Sequence, residues 1–508
     1  MPRTKTPLLI RADATVRLGS GHVMRCLALA QAWQATRGPV TFLTAGLSPA
    51  LRARLEAEGI AIRDTSAEPG SADDATEAAA LAAELGASWM VVDGYHFGAD
   101  YQRIVKDAQR RLLFIDDNGH ATHYCCDLVL NQNVHASEIL YASREPETRL
   151  LLGTRYSLLR REFWPWRSWR RQVAARAGKV LVTLGGSDPD NETLKVIRAL
   201  GETGLREVEA MVLVGGDSPH YAELHAAVGE SPTAIRLERN VTNVPELMAW
   251  ADLAVSAGGG TCWELALMGL PSLVIVLAEN QRMNSEALDA RGTAVCLGWH
   301  AGLSSRSIAE KLRDLLASQD TRAAMSRKAR EMVDGRGGRR VVDEMLMTNS
   351  VRARPASPED IELLFEWAND PVTRRMGFHT HRIEWAEHQK WYNEVMRSSD
   401  ITLLIVELGQ NVGDWTPFAQ VRFDGDGTVS LSLAKEFRGR HLSVPALKVA
   451  ISFDRAAVGP RTLTAYVKQE NVVSQKVFVN AGFESAGPDQ VSGQSCLKYV
   501  LRPANEPG

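Results

Sequence analysis

The residues that could do chemistry begin at Gly19-Ser20-Gly21-His22. This string joins an apolar run, Leu8 to Ile10, to a helical pattern that runs from about His22 to Trp33. A histidine at a helix start sits where backbone N–H groups and the positive helix end converge, which suits a neutral imidazole acting as a base. No third glycine follows at the dinucleotide-binding spacing, and no Gly-Lys-Ser/Thr follows, so neither common phosphate-loop signature is met. An ordinary polar helix start is the alternative for the stretch taken alone. A second set of residues lies far along the chain. Ser256-Ala257-Gly258-Gly259-Gly260-Thr261 runs from a strand pattern into a helix that carries Glu264 in its first turns. Glycines there let the backbone approach a diphosphate, and Glu264 could reach a pair of ribose hydroxyls. Its alternative is a glycine-rich turn with Glu264 on a solvated face.

The elements that must position these residues follow from hydrophobic patterning. Strand patterns at Val40–Thr44, Ile60–Arg63, Trp89–Asp93, Leu112–Asp116 and Leu128–Leu130 alternate with helical ones at Pro49–Glu58 and Ala72–Leu85. Near-continuous apolar strands between helices predict a parallel sheet covered on both faces. Polar clusters then fall at the strands' carboxyl ends, where open α/β sheets bind ligands: Asp93 to His96, Asp116 to His120, and Asn131 to Asn133. From Val180 the pattern repeats. Val180–Leu184 runs into Gly185-Gly186-Ser187-Asp188, and further strands are expected at Met211–Val214, Leu253–Ser256 and Pro271–Leu277, the last ending at Asn280 and Gln281. Between the halves, Arg155 to Arg171 mixes tryptophan with arginine and reads as packing at a domain junction. Asp334 to Arg339 reads as a hinge, with the linker proper near 347–354.

The chain has 508 residues, so more than one domain is expected. Lys plus Arg number 58 against 61 Asp plus Glu, a net charge of -3, which does not announce a nucleic-acid partner. The six cysteines show no C-x-x-C spacing, so no zinc site, no other metal and no disulfide framework is expected. No apolar run is long enough for a membrane span, and the N-terminus lacks a signal-peptide pattern. These features predict a cytoplasmic protein without a membrane partner.

Two Rossmann-like halves with phosphate-suited glycine loops in the second make the GT-B plan used for nucleotide sugars. Gly19-Ser20-Gly21-His22-Val23-Met24-Arg25-Cys26, the Leu184-Gly185-Gly186-Ser187-Asp188 loop and Ser256 to Thr261 resemble the UDP-sugar hydrolases of pseudaminic acid biosynthesis, over roughly residues 7–340. That family removes UDP from 2,4-diacetamido-2,4,6-trideoxy-β-L-altropyranose. The resemblance implies UDP on the second half and the sugar in the cleft facing the first. It makes His22 the base that activates water, places Asp13 near the sugar, and offers Tyr95 for sugar contact or for orienting the water. Gly19, Gly21, Arg25, Gly186, Ser187, Asp188, Ser256, Gly258, Gly259, Gly260, Thr261, Glu264, Asn280 and Gln281 are the substrate-binding candidates it implies.

A new pattern starts at Val351. A strand leads into Ser357-Pro358-Glu359-Asp360, a good helix start. Helices follow, including Trp385–Val395, then strands at Ile401–Val406, Phe418–Asp424, Val429–Leu433 and Leu463–Val467. Phe437-Arg438-Gly439-Arg440-His441-Leu442-Ser443, Asn471-Val472-Val473-Ser474 and Gly482-Phe483 resemble a GNAT acyltransferase over about 350–503. In that family a loop at a helix start cradles the pyrophosphate of acetyl-CoA. The matching cofactor-binding positions here are Leu433, Arg438, Gly439, Arg440, His441, Leu442, Ser443, Asn471 and Ser474, with histidine and serine replacing the loop's small residues. Where the family often has a tyrosine acid, this chain has Phe478, which has no proton to give. Trp385, His388, Trp391 and Tyr392 share one helix side, as a lining for an amino-sugar or as a core stripe.

The expected architecture is therefore α/β: a GT-B-like pair of Rossmann-like domains (1–160, sugar side; 175–345, UDP side) followed by an α+β GNAT domain (351–503). The resemblance implies hydrolysis of a UDP-amino-sugar, with acetyl-CoA-dependent N-acetylation of its 4-amino precursor. Two alternatives remain open. One is a GT-B glycosyltransferase with an accessory GNAT module. The other is a hydrolase whose last domain senses acyl-CoA without catalysing.

Overall fold

Contacts divide the chain into two units, Met1–Met345 and Leu346–Gly508, in a computed structural model that describes residues 6–14, 19–186, 188–205, 207–216, 218–346, 351–411, 414–439 and 442–503. Among the described residues no helix is long and apolar enough to cross a membrane. Ser187, Arg440 and His441 lie outside the described residues.

The first unit holds two parallel sheets. In its first half the strands are β1 (Leu8–Ala12), β2 (Val40–Thr44), β3 (Ala61–Asp64), β4 (Trp89–Asp93), β5 (Arg111–Ile115), β6 (Leu128–Asn131) and β7 (Arg149–Leu152). Their order is β3-β2-β1-β4-β5-β6-β7, with every pairing parallel. Strands β1 and β4 are buried along their whole length, as central strands covered by helices on both faces must be. The second half repeats the plan with β8 (Lys179–Thr183), β9 (Glu209–Val214), β10 (Ala234–Arg239), β11 (Leu253–Ala257), β12 (Ser272–Val276) and β13 (Val295–Trp299), in the order β10-β9-β8-β11-β12-β13. In both halves the order reverses beside the first strand, between β1 and β4 and between β8 and β11. Ligands of open α/β sheets bind at such switch points, outside the carboxyl ends of the strands.

The patterning missed β7, β10 and β13. Strand β10 is an exposed edge whose Ile235 and Leu237 alternate with Arg236 and Glu238. The tryptophan-rich junction contains a 3-10 helix, Arg161–Arg167, and Trp166 and Trp169 pack on the apolar cluster beneath the Thr261–Leu267 helix. One expectation changes. Residues 337–345, read as part of the second half, form a helix (Gly337–Leu346) that packs back on the first half. A Cβ on Gly338 would lie 3.2 Å from Ala32 Cβ, and one on Gly337 would lie 2.2 Å from the Ser157 carbonyl oxygen. Arg149 pairs with Glu344 at the same junction. The two glycines allow this approach, so they serve close packing in place of a hinge.

The second unit pairs two antiparallel sheets. The first runs β14 (Val351–Pro355), β15 (Thr402–Asn411), β16 (Asp414–Phe423) and β17 (Val429–Leu433); the second has the order β18-β20-β19, from Leu463–Lys468, Gln494–Leu501 and Glu484–Val491 respectively. Among the described residues a single parallel bridge, Thr428 to Thr464, links them, so β17 and β18 separate beyond it. The helix Ser443–Val458 buries Ala446, Leu447, Ala450 and Ile451 in the core between the sheets.

Candidate functional site

The site of the first unit grows from the carboxyl ends of β1 and β4. Gly19 adopts φ 71°, a left-handed turn that suits glycine, and the helix Gly21–Gln34 then begins. Among the described residues, a Cβ on Gly21 would meet no atom within 4 Å, so they leave open space beside this turn. His22, the second helical residue, is buried, and its Nδ1 lies 2.6 Å from Asp93 Oδ1 at the end of β4. A carboxylate only accepts, so Nδ1 carries the proton and Nε2 is left with its lone pair. Among the described residues Nε2 has no hydrogen-bond partner.

Asp93 is itself held. Arg25, one turn after His22, donates from Nε to Asp93 Oδ2 at 2.6 Å and from Nη2 to Oδ1 at 2.7 Å. Its Nη1 reaches Asp117 Oδ2 at 2.6 Å. Burial alone would raise the Asp93 carboxyl, but Arg25 and His22 outweigh it and hold the group well below the usual carboxylate range. Arg25 Nη2 also lies 3.2 Å from His22 Nδ1. Both atoms carry hydrogens, so this is proximity and not a bond.

Tyr95 closes the arrangement. Its ring meets His22 edge-on with centroids 5.0 Å apart, and its hydroxyl donates to Asp117 Oδ2 at 3.1 Å. The same hydroxyl accepts from Asn280 Nδ2 of the second half at 2.7 Å. Burial pushes the phenol up, and Asp117 adds to the shift, so Tyr95 stays protonated. Val134 N–H also meets Asn284 Oδ1 across the halves at 3.4 Å, and a Cβ on Gly186 would lie 2.6 Å from Ser20 Oγ. The glycine turns of the two halves therefore approach one another.

In the second half, Gly258 N–H is bonded to Gln281 Oε1 at 3.2 Å, which also takes Leu277 N–H at 3.0 Å. Gln281 thus braces the glycine loop, and Gly258 N–H is engaged. Among the described residues, the N–H groups of Gly259 and Gly260 have no acceptor. Ser256 is fully buried and bonds the Ala257 carbonyl. Asp188 caps the helix Glu192–Glu202, accepting from Glu192 and Thr193 N–H at 2.9 and 2.8 Å. Glu264 lies against Arg160 at 2.8 Å. Burial raises its carboxyl, with Arg160 opposing.

Asp13 stands apart from this cluster. It holds Arg11 at 2.6 Å and Ala45 N–H at 2.7 Å, and its other oxygen faces His96 Nε2 at 3.3 Å. With Gly46, Thr65 and Glu68 it lines a cavity of about 360 Å³. The structure therefore joins His22, Arg25, Tyr95 and Asn280, and gathers Gly258 with Gln281. Asp93, Asp117 and Asn133 (Nδ2 to Asp117 Oδ1, 2.8 Å) were read only as parts of polar strand-end clusters, and Arg160 only as part of the junction, with no site role assigned. Their signal was present: a polar residue closing an apolar strand, or an arginine in the junction.

In the second unit, Arg438 reaches the Leu433 carbonyl at 3.2 Å, Thr373 Oγ1 at 2.9 Å and Asp370 at 2.7 Å. Gly439 adopts φ 73°, and Leu442 and Ser443 open the 443–458 helix. Asn471 Oδ1 caps the Val472–Asn480 helix by accepting Ser474 N–H at 3.1 Å. Phe478 is core, its ring against Phe483 at 5.2 Å. His388 is buried with Nε2 3.0 Å from the Ile361 carbonyl, and Tyr392 is buried with its hydroxyl on the Ser357 carbonyl at 2.6 Å. On this helix the core-stripe alternative holds for both.

Comparison with known proteins finds relatives of both units. The glycosyltransferase family 28 C-terminal domain matches residues 180–336, and the acetyltransferase (GNAT) domain matches 351–484. The chain is 21% identical over 491 residues to "Uncharacterized protein MJ1062" of Methanocaldococcus jannaschii, covering 94% of this chain and 96% of that one. It is 22% identical over 290 residues to the UDP-2,4-diacetamido-2,4,6-trideoxy-beta-L-altropyranose hydrolase of Campylobacter jejuni, covering 57% of this chain and 98% of that enzyme. It is 26% identical over 227 residues to the spore coat polysaccharide biosynthesis protein SpsG of Bacillus subtilis, covering 44% of this chain and 66% of that protein. A hydrolase-like GT-B region thus precedes a GNAT domain in one chain.

Proposed function

We propose that the first unit hydrolyses a UDP-linked 2,4-diacetamido-2,4,6-trideoxy hexose to the free sugar and UDP, and that the second acetylates its 4-amino precursor. The observation that carries the first half is the His22–Asp93 pair, which leaves Nε2 basic beside Tyr95 and the open turn at Gly21. In this reading a water attacks the anomeric carbon as Nε2 takes its proton, and the C–O bond to UDP breaks. Asp93 stabilises the imidazolium that forms, as the carboxylate of a His–Asp pair does. The unengaged Gly259 and Gly260 N–H groups meet the charge developing on the leaving diphosphate. A positioned base of this type contributes about 10²–10⁴-fold. Incubation with UDP-sugar alone, then with sugar acceptors, tests the reading. UDP release without acceptor supports it; release only with an acceptor points to a transferase.

For the second unit, the separation of β17 from β18 leaves strand edges free for an extended thioester chain, and the residues at Leu433, Gly439, Leu442 and Ser443 fit a coenzyme loop. Acetyl-CoA would supply the acyl thioester there. Phe478 cannot protonate a departing thiolate, so another donor or water must serve. Thiol release on mixing the UDP-4-amino-sugar with acetyl-CoA tests this half.

A further inference from the structure

Six guanidinium groups among the described residues of the second unit are neutralised. Arg352 and Arg354 pair with Glu407, Arg422 with Asp424, Arg438 with Asp370, Arg461 with Asp454 and Arg502 with Glu484. Arg374, Arg375 and Arg382 are not neutralised, and unlike Arg397 and Arg455 they converge on one place. Among the described residues none of the three side chains has an ion pair or a hydrogen bond, and all three line one cavity of about 660 Å³ with Asn369, Pro371 and Thr380. Arg374 Nε is buried without a partner. The carboxylate that acts on Arg374 is Glu387, which lies 3.8 Å from His381. Among the described residues no carboxylate lines the cavity itself.

The cavity walls are anchored. Asn369 holds Ile383 through both its amide atoms, at 3.1 and 2.8 Å. Asp370, between two lining residues, grips Arg438 of the coenzyme loop at 2.7 Å, and Lys468 at the end of β18 donates to the Arg375 carbonyl at 3.2 Å. The cavity thus stands beside the open end of the split between β17 and β18, where an acceptor must approach a thioester. Its volume lies within the range of small-molecule sites, about 300–1,000 Å³. Unpaired arginines present planar donor forks that match phosphate oxygens.

We propose that this cavity binds the diphosphate of a nucleotide-linked acceptor, so that the second unit recognises its amino-sugar through the nucleotide it carries. This rests on the reading of the second unit as an acetyltransferase for such a sugar. The same chemistry could serve the diphosphate of coenzyme A. The Gly439 turn and the start of the 443–458 helix already offer backbone N–H donors to that diphosphate, which leaves the arginines to the nucleotide.

The test uses the full chain and its R374A/R382A variant, with R374K as a conservative control and thermal melting to confirm folding. UDP and coenzyme A are titrated separately by calorimetry. The expected result is that one UDP-binding event weakens about ten- to a hundredfold in R374A/R382A, less in R374K, while coenzyme A binding is unchanged. In acetyl transfer the KM for the UDP-4-amino-sugar rises to the same degree and that for acetyl-CoA does not. Superimposable UDP isotherms, or loss of coenzyme A affinity instead, would overturn the assignment. If wild-type chain releases no thiol with this sugar, the acetyltransferase reading falls, and the UDP isotherms still decide the cavity.

Discussion

Asn280 Nδ2 donates to Tyr95 Oη at 2.7 Å, and this bond joins the two halves of the first unit directly beside His22. The phenol donates a hydrogen bond to Asp117, which also holds Arg25, so one chain of polar contacts runs from the second half to the His22–Asp93 pair. If that chain orients the reacting groups, Y95F and N280A each slow hydrolysis, and the double variant loses less than the sum. A coupling of about 0.5–3 kcal/mol from a double-mutant cycle on kcat/KM is expected. Strict additivity would show that the contact is incidental.

Replacing the base should separate chemistry from binding. H22A is expected to lower kcat by about 10²–10⁴-fold while UDP affinity stays within about twofold of wild type. D93N should lower kcat over a similar range by releasing the tautomer that leaves Nε2 free. D93N also strips Arg25 of a buried partner, so its melting temperature should fall while that of H22A changes less. Full turnover in H22A would remove His22 from the mechanism.

The glycine loop makes a binding prediction. A Cβ on Gly258 would lie 2.1 Å from Ser285 Oγ and 3.1 Å from Gln281 Cβ. G258A must push Gln281 aside and lose its brace on the loop. UDP affinity of the first unit should drop with the fold retained, which calorimetry and circular dichroism together can read.

A pH dependence of stability follows from His120. Its Nε2 lies 3.1 Å from the Phe97 carbonyl and its Nδ1 3.1 Å from Asp116. Both neighbours are acceptors, so both nitrogens favour a proton. Burial alone would lower the histidine, but Asp116 outweighs it and the net direction is upward. A raised folded-state value gives stability that is complete below the ordinary histidine value of about 6.5 and is lost as pH rises through the folded one. H120Q should therefore be less stable than wild type near pH 6, with the gap narrowing as pH rises through the folded-state value. A gap that widens with pH, measured by urea unfolding, would contradict this.

The returning helix makes a packing prediction. G337A places a methyl 2.2–2.5 Å from Tyr156 and Ser157 backbone atoms. Overpacking of this kind costs about 1–3 kcal/mol, read as a lower denaturation midpoint of the first unit. An unchanged midpoint would mean that the helix shifts freely.

Much of this molecule is legible in its sequence because buried parallel strands are locally encoded. Val40–Thr44 and Trp89–Asp93 are buried runs that needed no distant partner to be recognised. His22 at its helix start and the Gly258 to Gly260 turn are likewise local patterns. Strand β10 was not legible, since an edge strand keeps a charged face and breaks the run. Gly337 and Gly338 were misread for a related reason. A glycine needed for flexibility and one needed for close approach look alike until the neighbouring helix is in place.

What tertiary structure alone decided is which residues meet. Asp93 was visible only as a polar strand end, and the reversal of strand order between β1 and β4 brings it to 2.6 Å from His22, 71 positions away. Asn280 reaches Tyr95 across 185 positions because two separately folded sheets face each other at their switch points. Arg374, Arg375 and Arg382 became a group only when folding set all three, without a carboxylate, on the wall of one cavity. Local pattern determines the elements, because backbone hydrogen bonding and burial act over a few residues. Pairing between distant side chains depends on strand order and domain docking, which no single stretch of sequence encodes.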